Sequence, residues 1–175
     1  PVLVSVMWAN NETGVVQPIA EVVSLAHARG GLVHCDAIQA AGRLPVSFAE
    51  TGLDLMSVSA HKLGGPAGIG ALIARKGLAL TPLIKGGGQE QGRRSGTENL
   101  IGIAGFGAAA KTAEQSRSLW QTVARLRDGL ERKIQETAQT ARVMGGEAMR
   151  LANTSCITMP GVAAETQVMA LDLAG

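Results

Sequence analysis

The chain has 175 residues, 46% of them hydrophobic, and 16 Lys and Arg against 14 Asp and Glu give a formal net charge of +2. That is enough apolar material for one ordinary domain or part of a larger one, while the near-neutral charge and 2% aromatic content indicate neither a nucleic-acid surface nor a base-stacking platform. The apolar opening, residues 2–7, is too short to cross a bilayer, and Cys35 and Cys156, with no CxxC pair or close Cys/His cluster, read as buried free thiols in a reducing cytosol, with no disulfide and no metal site.

Residues 2–8 predict a buried strand, which ANNETG at 9–14 interrupts. Pro18 suits a first helical turn, Ile19, Val22, Val23 and Ala26 fall at helical spacing, and Gly30 suits the exit. GLVHCD, DLMSVSA and GIGALIA predict three further strands. Strand, helix and strand in that order imply a βαβ crossover and an α/β layout with a helix-covered sheet. TENLIGIAGFGAAAKTAEQ predicts a helix of small apolar residues with Thr97 as its N-cap. Leu119, Val123, Leu126, Leu130 and Ile134 form one stripe on a long amphipathic helix, expected to pack into a core and to bridge two domains. RVMGGEAMRLANTSCITMPGV reads as strands and turns opening a second lobe, and AAETQVMALDLAG as one more helix. The expected division is therefore 1–138 for a larger domain with its connecting helix, and 139–175 for part of a smaller one.

Ligands of open α/β sheets bind beyond the carboxyl ends of the strands. Three loops leave strands there. ANNETG carries Asn11, HCDAIQ carries Asp36 at a strand end with Gln39 three residues on, and SAHK carries Ser59, His61 and Lys62. An amine and an acid sharing a pocket suit a carbonyl cofactor: the lysine forms a Schiff base, and pyridoxal phosphate needs a carboxylate opposite its ring nitrogen. Asp36 would keep that nitrogen protonated, Gln39 would donate to the ring oxygen, and Ser59 and His61 would hold the phosphate. Plainer roles stand beside these. Asp36 also suits a helix cap, Asn11 a turn, and Thr97 a cap alone. His34 and His61 suit packed core positions, and Arg93 and Arg94 a solvated basic face.

NNETG, HCDAIQAAG, SAHKLGGPAGIGAL and GGGQEQGRRSGTEN resemble, in order and spacing, the cysteine desulfurases that feed iron–sulfur cluster assembly. These belong to the class V aminotransferase group, with the aspartate aminotransferase-like fold type I. The first three motifs are shared across that group, the fourth points to the desulfurase branch, and the similarity runs through nearly the whole chain. The resemblance implies that 1–138 is part of the large cofactor-binding domain and 139–175 part of the small one. It implies that Lys62 is the catalytic Schiff-base lysine and proton shuttle. Asp36 would face the pyridine nitrogen, Gln39 the ring oxygen, and Ser59 and His61 the phosphate. Asn11 would lie near the ring oxygen and substrate carboxylate, and Thr97 would reach the phosphate of a partner subunit. The implied reaction converts L-cysteine to L-alanine and passes sulfur, as a persulfide on an enzyme cysteine, to an acceptor such as an iron–sulfur scaffold. The implied setting is a cytoplasmic homodimer, with no nucleic acid, membrane or metal. Family polypeptides extend beyond both ends of this sequence. Those parts supply an aromatic stacking residue, the nucleophilic cysteine and a carboxylate-binding arginine, so this chain is expected to be an internal piece, inactive alone. Alternative expectations are a selenocysteine lyase or other class V enzyme, and a non-catalytic piece.

Overall fold

The computed structural model describes residues 2–175. In chain order the elements are β1 (Leu3–Met7), α1 (Ile19–His27), β2 (Leu32–Asp36), α2 (Phe48–Thr51), β3 (Leu55–Ser59), β4 (Gly70–Ala74), α3 (Leu100–Gln115), α4 (Leu119–Thr137), β5 (Arg142–Val143), β6 (Ile157–Thr158) and α5 (Ala164–Ala174). Short 3-10 turns occupy Ala60–Leu63 and Gln89–Gly92. The chain forms two compact units, one of residues up to 9 with 17–117, the other of 10–16 with 118–175.

In the first unit the sheet order is β1-β2-β3-β4. β1, β2 and β3 run parallel, and β4 pairs antiparallel with β3. Side chains alternate across the sheet. Val33 and Cys35 of β2 and Met56 of β3 are buried, and α1, which packs on β2, buries Ile19, Val23 and Ala26 at a spacing that shares one helical face. His34 and Asp36 have the opposite parity and are half-buried. His34 is not a packed core histidine. Its Nδ1 lies 2.8 Å from Ser5 Oγ and its Nε2 2.7 Å from Ser57 Oγ, a polar row across three strands.

Asp54, just before β3, is 1% exposed and ties three elements together. Its Oδ2 accepts from His27 Nε2 at 2.9 Å and from the Val33 amide at 2.8 Å, and its Oδ1 accepts from Arg75 Nε at 2.7 Å. Burial by itself would raise the carboxyl's pKa. The hydrogen bonds from His27, Val33 and Arg75, with the Arg75 charge, outweigh burial and hold it below the ordinary value.

α3 begins later than the sequence suggests. Its N-cap is Asn99, whose side chain accepts from the Gly102 amide at 3.0 Å, so Thr97 is not the cap. Asn is as strong a cap as Thr and lies three residues before a free amide, the spacing a cap needs.

In the second unit α4 is anchored through polar side chains. Arg127 and Glu131, one turn apart on one face, reach the segment after β5. Arg127 Nη1 donates to the Leu151 carbonyl at 2.7 Å. Arg150 grips both Glu131 oxygens at 2.7 and 2.8 Å, and Ser155 Oγ donates to Oε1 at 2.7 Å. The Arg150 and Ser155 hydrogen bonds outweigh burial and lower the Glu131 pKa. The leucine stripe expected in a core is instead open in this chain, with Leu119, Leu126 and Leu130 at 61%, 70% and 52% exposure, while the buried residue of α4 is Glu131. These polar contacts lie within the second compact unit, which takes in 118–175. Residues 10–16 join the same unit through Val16 N to Met149 O at 2.9 Å and Leu151 N to Gly14 O at 2.8 Å.

Asp54 and Glu131 both have folded pKa values below their unfolded ones, 3.8 and 4.5. Their stabilisation is fully present above those values and is lost as pH falls through the lower folded ones. Thermal melting of the native protein should therefore be insensitive to these groups near neutrality and should weaken steeply below about pH 4. Asp54→Ala, which orphans a buried amide and two side chains, should cost roughly 3–5 kcal/mol and flatten part of that acid slope. A variant with an unchanged melting temperature and acid slope contradicts the assignment. Arg150→Met, leaving Glu131 unpaired, should cost a similar roughly 3–5 kcal/mol in denaturant melts.

Candidate active site

The predicted residues gather where β2 and β3 end. Asp36 closes β2 and pairs in register with Met7 on one side and Ser57 on the other. Its carbonyl accepts from the Trp8 amide at 2.8 Å. Its Oδ1 accepts from the Ile38 amide two residues on, at 2.9 Å, a local turn bond rather than a helix cap. Among the described residues its Oδ2 has no hydrogen-bond partner.

Lys62 sits in the 3-10 turn that follows β3. The turn is pinned at both ends. The Ala60 amide donates to the Ile69 carbonyl at 3.1 Å, and the Gly65 amide donates to the Ala60 carbonyl at 2.9 Å. Ala60 is wholly buried. Two glycines make the turn possible. Gly64 has φ +84°, in the left-handed region, and a Cβ on Gly65 would lie 3.0 Å from Ala109 Cβ on α3 and 3.1 Å from the Ala60 carbonyl. The close fit of α3 on this turn leaves Lys62 exposed, and among the described residues it forms no ion pair. Ser59 Oγ and His61 Nδ1 lie 2.8 Å apart, so two groups expected at a phosphate already touch, and His61 is exposed rather than packed in a core.

Gln39 lies in the turn after β2 and is linked to the Lys62 turn by a residue that the sequence reading overlooked. Arg43 Nη1 donates to the Gln39 carbonyl at 2.7 Å and to Gln39 Oε1 at 3.2 Å, and Nη2 donates to the Lys62 carbonyl at 3.1 Å. Burial lowers the Arg43 pKa. The available signal was its position four residues after Gln39, within the same run as HCDAIQAAG.

Asn11 and Thr97 lie on other segments of the chain. Asn11 is exposed and belongs to the second unit. The turn there is built by its neighbour: Asn10 Oδ1 accepts from the Glu12 amide, the Thr13 amide and the Thr13 hydroxyl, at 3.0, 2.8 and 3.1 Å. Thr97 is exposed on an open groove of about 880 Å³ beside β4, with Leu72, Arg93, Arg94 and Phe106 also on its walls. Ser59, His61 and Lys62 do not line that groove. Cys35 faces the buried side of the sheet, and burial, then the Asp36 charge, pushes its thiol up to about 12. Such a thiol is protonated and inert at neutral pH. Cys156 is half-buried and free.

Comparison with known proteins agrees with this architecture. The chain is 49% identical over 173 residues to a cysteine desulfurase of Cereibacter sphaeroides and 44% identical over 173 residues to one of Klebsiella pneumoniae. Each alignment covers 99% of this chain and 44% of the relative, so the chain spans less than half the length of these proteins. The X-ray structure of a NifS-like protein from Rickettsia africae superposes with a TM-score of 0.92 at 38% identity, over 98% of this chain and 48% of that one. The α/β fold type I expected from the motifs is thereby borne out. The sequence model of the aminotransferase class-V family matches residues 1–175, and the chain belongs to that family.

Proposed function

We propose that the native protein is a pyridoxal-phosphate-dependent cysteine desulfurase, converting L-cysteine to L-alanine and passing the sulfur to an acceptor protein for iron–sulfur cluster assembly. The observation that carries this reading is the Lys62 amine, unpaired among the described residues, held in a pinned turn beside the Ser59–His61 pair, at the same sheet end as an Asp36 oxygen with no partner among them. That donor set suits the cofactor: an amine for its aldehyde, a carboxylate for its ring nitrogen, and a hydroxyl and imidazole for its phosphate. When bound, pyridoxal phosphate supplies an electron-withdrawing ring that eases loss of a proton from a substrate carbon. The chain's own residues do the rest. Asp36 would keep the ring nitrogen protonated, Gln39 would donate to the ring oxygen, and Ser59 and His61 would anchor the phosphate. Lys62 takes up and returns the substrate proton at Nζ. Asn11 is proposed to contact the substrate side of the ring, and Thr97 the phosphate of a second subunit in a cytoplasmic homodimer. Cys35, buried with a raised pKa, is not the sulfur carrier. That thiol is proposed to come from elsewhere in the protein.

The native protein should show the absorbance of a lysine-bound cofactor near the edge of the visible spectrum and release alanine from L-cysteine. Lys62→Ala should abolish both, and persistence of the band in that variant would rule out Lys62 as the attachment point. Asp36→Asn should keep the band while lowering kcat/KM by about a hundredfold, or ~2.7 kcal/mol of transition-state stabilisation. Comparable turnover by Asp36→Asn and wild type would remove the carboxylate from the mechanism.

A further inference from the structure

We propose that Arg43 is a positioning residue that fixes which end of the Gln39 carboxamide faces the cofactor and locks Gln39 to Lys62. The inference rests on the proposed cofactor roles of those two residues and adds what neither the motifs nor the comparisons assign. The guanidinium makes three contacts, all to oxygen: the Gln39 carbonyl at 2.7 Å, Gln39 Oε1 at 3.2 Å and the Lys62 carbonyl at 3.1 Å.

The chemistry of these contacts has one orientation. A guanidinium has five donors and no acceptor, so the carboxamide oxygen must turn toward it. The Nε2 hydrogens of Gln39 are then aimed away from Arg43, ready for an acceptor. A free glutamine side chain would present either end, and an oxygen facing a ring oxygen would repel it. Arg43 removes that ambiguity. The same planar fork bridges two loops that leave different strands, the one after β2 and the one after β3. A lysine, with a single ammonium, lacks the fixed geometry to span three oxygens. Partial burial of Arg43 strengthens these bonds by keeping water from competing for them.

The test is spectroscopic and uses the cofactor-loaded native protein. A donor on the ring oxygen draws charge from it and weakens its hold on the nearby linkage proton. Losing that donor therefore raises the pH midpoint at which the band changes. Gln39→Ala should raise the midpoint by about 0.5–1 pH unit, the worth of one ordinary hydrogen bond. Arg43→Met should raise it in the same direction by a similar amount, and Arg43→Met combined with Gln39→Ala should shift it by clearly less than the sum of the two. Arg43→Lys, which keeps the charge, should also shift the midpoint and serves if the Met variant fails to fold. Melting curves without cofactor check that each variant is folded. If Gln39→Ala shifts the midpoint while both Arg43 variants stay at the wild-type value, or if the two shifts simply add, the Arg43 inference is overturned. A band absent from wild type, or retained by Lys62→Ala, would instead overturn the reading of the site itself.

Discussion

The sheet is built around one buried carboxylate. Asp54 lies at the end of the sheet opposite the site, and its two oxygens take up hydrogen bonds from the end of α1, the start of β2 and the residue after β4. A buried charge is tolerated only when it is paired and saturated with donors. Asp54 meets that requirement, and in doing so fixes where β2 and β3 begin relative to each other. Since both strands then run for five residues, fixing their starts also fixes their ends. Asp36 and Ser59 sit on those ends. The far clamp thus sets the spacing of the candidate site without touching it.

Much of this was legible in the sequence because backbone pattern and turn chemistry are local. All four strands of the sheet, α1, α3, α4 and α5 follow from alternation, helical spacing and glycine placement, although β1, expected to be buried, leaves Leu3 and Met7 exposed in this chain. The motifs around Asp36 and Lys62 fell at strand ends because those strands are short and bounded by turn residues. What escaped were the partners of polar side chains. Arg43, Asp54 and the Glu131–Arg150 pair look like ordinary surface charges until the chain is folded, since their partners lie up to 27 residues away. The leucine stripe of α4 failed in the converse way. Periodicity shows that a helix has an apolar face but not what lies against it, and here the face that is held carries Arg127 and Glu131. Thr97 and Asn99 were both good caps, and only the amide spacing to Gly102 separates them.

Two kinds of side chain divide the sheet between stability and chemistry. On β2, Val33 and Cys35 point to the buried side, where α1 packs, and His34 and Asp36 to the other. The period of two therefore keeps a thiol and a carboxylate one residue apart yet on opposite faces. The thiol is silenced by burial and by the neighbouring negative charge. His34, two residues before Asp36 on the same face, satisfies both ring nitrogens with hydroxyls from the flanking strands, which stiffens the polar face just below Asp36.

The reversal of direction between β3 and β4 has a dynamic consequence. A parallel neighbour would demand a long crossover, whereas an antiparallel one allows the short return on which Lys62 rides. That return is fastened by Ala60 to Ile69 and wedged under α3 at Gly65. Its backbone has little freedom to drift, so the amine searches space by torsions of its own four-carbon stem. Rotamer hops of exposed side chains take picoseconds to nanoseconds, against nanoseconds to microseconds for loop motions. The exposed Nζ therefore moves with its own stem rather than with the loop that carries it.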